Sequence, residues 1–117
     1  MATDATSADW TSQLRRGVLE LCVLRVLRDE PEYGYAIVTA LDDLGPLAAG
    51  ENTIYPLLRR LKGERYLDTY PAESPTGPPR QYYRITARGR QRLTALEKAW
   101  SEMAKAVQLC LHGKKVS

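Results

Sequence analysis

The chain has 117 residues, enough for one domain with an extension and too few for two substantial cores. A net charge of +3 and a pI near 9.0 permit a polyanionic partner without requiring one. Two cysteines without a CxxC pair argue against a disulfide framework or a zinc ribbon, the only histidine, His112, lies in the polar C-terminal tail and so argues against a His-based triad or a multi-histidine metal site, and no run approaches the roughly 20 apolar residues that span a bilayer.

The expectation is therefore a soluble cytoplasmic protein that is not an enzyme, with no cofactor, no metal site and no membrane contact. Charge is unevenly spread. Asp4, Asp9, Asp29, Glu30, Glu32, Asp42 and Asp43 crowd the first part, whereas most arginines fall between Arg59 and Arg92.

Residues 1–9 are small and polar, the composition of a flexible tail, so ordered structure is expected to begin near Trp10. From Leu14 to Arg28 the apolar residues cover more than half of a helix circumference, which requires two packing partners. Pro31 closes this segment. A second helix follows from Tyr33 to Leu44, where Ile37, Ala40, Leu41 and Leu44 repeat the i, i+3, i+4, i+7 stripe, and Gly45-Pro46 stops it.

A short loop leads to the third helix, ENTIYPLLRRLK at Glu51 to Lys62. Its Ile54, Leu57, Leu58 and Leu61 form an inward stripe, and Thr53, Tyr55, Arg59, Arg60 and Lys62 turn away from it. Either Gly50 or Asn52 caps this helix. The choice decides whether Pro56 sits in the second turn, where it removes a hydrogen bond, or in the first, where it does not.

Tyr66 to Tyr70 and Gln81 to Ile85 are rich in tyrosine and β-prone, and the intervening PAESPTGPPR is rich in turn formers. This predicts a two-stranded hairpin with a long tip. Thr86 caps a last helix from Ala87 to about Leu111, within which Leu93, Leu96, Trp100, Met103, Val107 and Cys110 are spaced 3, 4, 3, 4, 3. Such a heptad seam seeks another helix.

The fold class is mainly α with a small β-hairpin (α+β): a winged helix-turn-helix over residues 10–86, a C-terminal dimerisation helix over residues 87–112 and a flexible tail at residues 113–117. The third helix is then the recognition helix.

These residues resemble the PadR-type bacterial transcriptional regulators, particularly the short members with one C-terminal helix. The resemblance spans Leu14 to Leu111 and rests on EYGYAI at Glu32 to Ile37, NTIYPLLRRL at Asn52 to Leu61 and GPPRQYYRITARG at Gly77 to Gly89. It implies a homodimeric repressor that binds an inverted repeat in double-stranded DNA through the third helix and a basic wing and responds to a small ligand or to cell stress, release by a small ligand being the expectation here. One departure is Arg65, where many members carry a glycine just after the third helix; Gly63 offers an earlier stop. An arginine in the left-handed region would cost about 1 kcal/mol.

In this setting Asn52, Thr53 and Tyr55, near the start of the recognition helix, are candidates for base edges, while Arg59 and Lys62 suit phosphates. Asn52 could instead merely cap the helix, and Tyr55 could pack beneath the wing. Arg80 follows Gly77-Pro78-Pro79 to the edge of the wing, where a narrow minor groove attracts arginine, with Gln81 and Arg84 beside it. Tyr33 reads as core packing, and the resemblance assigns Tyr35 to a phosphate.

Leu93, Leu96, Trp100, Met103, Val107, Cys110 and Leu111 are expected at the dimer interface, with part of the first helix; the alternative is that the seam folds back on its own domain. Trp100 near a two-fold axis can simply pack or can leave a slot for a planar aromatic effector, as the resemblance implies from some members of the family, with Leu21, Met103 and Trp10 as its walls. Two other readings compete: a winged-helix protein-interaction module without DNA binding, disfavoured by arginine in both the third helix and the wing, and a thiol-based redox-responsive repressor using Cys110.

Overall fold

The computed structural model describes residues 4–113. Its elements are α1 (Asp4–Asp29), β1 (Glu32–Tyr33), α2 (Gly34–Asp42), a 3-10 turn (Gly45–Leu47), α3 (Glu51–Gly63), β2 (Leu67–Ala72), β3 (Arg80–Ile85) and α4 (Ala87–Leu111). Helix α1 starts at Asp4, which corrects the expectation of a tail up to residue 9. Continuing an established helix outward costs far less than nucleating one, and Ala8 favours it. Residues 1–3 of that expected tail and residues 114–117 of the C-terminal one lie outside the described residues.

The core is formed where α1, α2 and α3 converge above the sheet: Val23, Leu24, Leu27, Ile37, Leu41, Ile54, Leu58, Leu61 and Leu67 are sealed from solvent. Each helix contributes its apolar stripe, as the periodicity predicts. Leu44 is an exception and remains half exposed, because α2 ends at Asp42 and the chain turns into the 3-10 segment around Pro46.

Of the two candidate caps for α3, Gly50 is used. Its φ of 76° suits only glycine without strain, and its carbonyl accepts the first helical bonds from Thr53 and Ile54. Pro56 therefore lies in the second turn.

The exit from α3 is a Schellman motif: the Arg65 N–H donates to the Lys62 carbonyl and the Tyr66 N–H to the Leu61 carbonyl. The helix does stop at Gly63, yet the left-handed residue that closes the motif is Arg65, with φ 67°. The earlier stop and the strained arginine thus occur together.

The sheet has three antiparallel strands in the order β1-β3-β2, one more than the expected hairpin. Glu32 pairs with Tyr83 and Tyr33 with Tyr82, while Tyr70 faces Tyr82 from the other side. A strand of two residues carries no readable alternation, and its stability comes from the β3 edge it covers. This is a winged helix-turn-helix, with β2 and β3 as the wing.

Wing and α4 are joined by Thr86 alone. Its hydroxyl accepts from the Gly89 N–H at 2.9 Å and lies 2.7 Å from the Arg65 carbonyl, to which it donates, while its own N–H donates to the Tyr66 carbonyl. Gly89 sits so close that a Cβ there would overlap the Tyr66 carbonyl oxygen. Where α4 meets α1, Leu93 is 2% exposed and belongs to the core of its own chain. That corrects its assignment to the dimer interface: the first turns of the heptad seam are consumed internally. No helix among the described residues is long and apolar enough to cross a membrane.

Candidate nucleic-acid interface

With Ile54, Leu58 and Leu61 clamped inward, the helical pitch turns Asn52, Pro56, Arg59 and Gly63 to the opposite side of α3, where all four are exposed. The cap at Gly50 leaves the Asn52 side chain uncommitted to capping. Thr53 is also exposed, on the flank toward α1, in a crevice shared with Arg16 and Leu19. Lys62 is exposed on the flank toward the wing.

Tyr55 differs from these. It is half-buried against the core, its ring occupying the space a Cβ on Gly34 would need, and burial together with the neighbouring Glu51 carboxylate pushes its hydroxyl pKa up. This is the packing alternative for Tyr55, with only its polar end available outside. Tyr35, in the first turn of α2, is 58% exposed on the same side of the molecule.

Arg60 turns toward α1 rather than outward. It donates to Glu20 at 3.0 Å and to Glu64 at 2.8 Å, and Arg92 of α4 donates to the second Glu20 oxygen at 2.7 Å. Glu20 thus ties α1, α3 and α4 together. Burial raises its pKa, but the hydrogen bonds and charges of Arg92 and Arg60 outweigh burial and hold the carboxyl below the ordinary value.

Strand alternation divides the wing candidates. Ile85 and Tyr83 face the core, and Gln81 shares their side but lies beyond the core and is exposed. Arg80, Tyr82 and Arg84 occupy the other side. Rather than extending from the tip, the Arg80 guanidinium lies back over the Tyr33 ring, 4.2 Å from its centre. Arg84 covers Tyr70 at 4.9 Å and donates through Nε to Asp68 at 3.0 Å. The role of Tyr33 was not legible without β1, so the sequence reading as core packing missed an aromatic on the outer sheet face.

Between them α1 and α4 enclose a mostly apolar groove of about 490 Å³ lined by Leu14, Leu21, Leu96, Trp100 and Met103, with Glu20 and Arg92 at its edge. Leu21, Trp100 and Met103 are thereby brought together; Trp10, 63% exposed, is not among the lining residues. Beyond Leu96, Trp100, Met103, Val107 and Leu111 are exposed, as is Cys110. Cys22 is partly buried against the core, which pushes its thiol pKa up.

The sequence profile of the transcriptional regulator PadR-like family matches residues 23–95, from the last turns of α1 through the wing to the first turns of α4. The chain belongs to the PadR-like family of transcriptional regulators. A PadR-family regulator from Eggerthella lenta is 38% identical, with 97% of this chain and 98% of that one covered at a TM-score of 0.85. A PadR-like regulator from Bacillus cereus is 36% identical over 86% of this chain and 98% of its own, with a TM-score of 0.79.

The Bacillus subtilis PadR crystallised with operator DNA is 28% identical, with a TM-score of 0.62 over 68% of this chain and 46% of that longer one. These PadR-like relatives are regulators, not enzymes. The shared winged helix gives the outward row of α3 its meaning as a candidate reading surface.

Proposed function

We propose that the chain is a DNA-binding repressor that acts as a homodimer on an inverted-repeat operator and is released by a planar aromatic ligand. The observation that carries the DNA reading is the exposed row Asn52, Pro56 and Arg59 on a helix whose other side is fully buried, so that the row is presented on a rigid support. The operator complex of the Bacillus subtilis PadR supports it. Asn52, Thr53 and the outer end of Tyr55 read or register bases; Arg59, Lys62 and Tyr35 meet phosphates; Arg80, Gln81 and Arg84 serve the wing.

The exposed apolar strip Trp100, Met103, Val107 and Leu111 supports pairing, because such a strip marks an interaction surface. Two recognition helices spaced about 34 Å apart, one DNA turn, then match an inverted repeat. The groove at Trp100 supplies flat apolar walls for the effector.

Fluorescence anisotropy with DNA from the chain's own upstream region, repeated across salt concentrations, tests the core of this reading. Binding should weaken with a log-log slope of about −0.9 per neutralised phosphate. Salt-independent binding, or none, would sink it. Within that assay Asn52→Ala should cost about 1–3 kcal/mol of discrimination at one base position, and Arg59→Ala should weaken all sequences alike and flatten the slope. Tryptophan fluorescence that stays unchanged when planar cationic dyes are titrated in would remove the effector part.

A further inference from the structure

On the outer face of the sheet, Tyr82 of β3 stands between Tyr33 of β1 and Tyr70 of β2, its direct partners across the two ladders. Its ring meets Tyr33 edge-on, 5.6 Å between centres at 66°, and stacks with Tyr70 at 5.7 Å and 20°. Arg80 is two residues before Tyr82 and therefore diagonal to Tyr33, a separation that a long side chain bridges. Its guanidinium carbon lies 4.2 Å above that ring. The tyrosines form a braced row, and Arg80 is laid on its end.

The two wing arginines differ in what else holds them. Arg84 shares its charge with Asp68. Among the described residues Arg80 forms no ion pair, so its full charge and the N–H edge of its fork stay available. An arginine that must be immobilised on binding loses rotamer freedom at that moment, whereas one already stacked has less to lose. The ring beneath the guanidinium restricts the positions it can take.

We propose that Tyr33 is a positioning residue for operator binding: its ring, braced by Tyr82, holds the Arg80 guanidinium in the orientation in which it meets a DNA phosphate. This rests on the reading of the wing as a DNA contact. It also gives β1 a purpose beyond covering a sheet edge, since this two-residue strand is what carries Tyr33 to the β3 arginine.

The test is a double-mutant cycle on the full chain, read as operator affinity and salt slope by fluorescence anisotropy. Arg80→Ala should weaken binding and flatten the slope by about 0.9, the loss of one phosphate. Tyr33→Phe keeps the ring and should bind like the wild type. Tyr33→Val keeps the strand and loses the ring; it should bind about two- to fivefold more weakly, the worth of an exposed cation–π contact, with the slope unchanged because the charge remains. The double variant should bind no more weakly than Arg80→Ala.

Wild-type or tighter binding by Tyr33→Val, or losses that multiply in the double variant, overturns the positioning role. A wild type that does not bind overturns the DNA reading itself, and an Arg80→Ala that binds normally removes Arg80 as a contact. If Tyr33→Val fails to fold, the ring-current shift of the Arg80 side-chain protons in the wild type decides: its persistence on the operator supports the role, and its loss on binding overturns it.

Discussion

Arg65 carries the one positive φ at a non-glycine position among the described residues, and it does so at the closing position of a Schellman motif where glycine is free of that strain. Its side chain is exposed, so replacing it removes no packing. Arg65→Gly should therefore stabilise the chain by about 1 kcal/mol, a rise of several degrees in the unfolding midpoint, measurable by thermal or urea denaturation. A fall would mean that the arginine contributes something the backbone strain conceals.

Glu20 makes a second prediction at this scale. Its folded pKa lies below the ordinary 4.5, so between the two values the unfolded chain binds more protons and stability rises with pH. The contribution is complete above 4.5 and fades as pH falls through the folded value. Glu20→Gln should cost about 1 kcal/mol at neutral pH, discounted because both arginines are substantially exposed, and the gap to the wild type should narrow in acid. Glu32 opposes this trend: burial and the nearby Glu30 raise its pKa, so its contribution is present below 4.5 and lost as pH rises. The comparison must therefore be with Glu20→Gln at each pH, not with the wild type's own pH curve.

Among the elements, long amphipathic helices were legible because burial of a stripe leaves a 3.6-residue signature. The inward residues of α3 and the Thr86 cap on α4 were readable from chemistry alone. Strand β1 was not, since two residues define no period and only the unpaired edge of β3 calls them into a sheet. The cap of α3 stayed open between Gly50 and Asn52 because side-chain propensity favours asparagine while the turn demands a positive φ.

Likewise, seam spacing cannot tell which turns pack inside the chain: Leu93 and Trp100 belong to one heptad row, yet one is sealed and the other 51% exposed. Of the candidate site, the exposure of Asn52 and Arg59 was legible from the helix. The placement of Arg80 over Tyr33 depends on a contact between segments far apart in sequence and left no local signal.

As a whole the molecule is elongated, with extents of 57 × 37 × 21 Å and a radius of gyration of 16.8 Å, against about 13 Å for a compact domain of this length. The excess reflects its two long helices, α1 of 26 residues and α4 of 25. In the proposed dimer the exposed end of α4 supplies the contact, so Val107→Glu should shift the chain toward monomer in light scattering while leaving the buried core, and hence the monomer's helical content, unchanged. Persistence of a dimer would move the interface elsewhere, with α1 as the next surface to test.

The single-residue joint at Thr86 means that the arm has no hinge of its own. Gly89 pressed on the Tyr66 carbonyl fixes the azimuth of α4 as well as its direction. One alanine inserted after Thr86 would rotate everything beyond it by roughly 100° and carry Trp100 and Met103 to a different side of the arm, with the wing untouched. In the proposed dimer the angle between the two recognition helices is thus set like that between the blades of a pair of scissors, by a rivet of three residues.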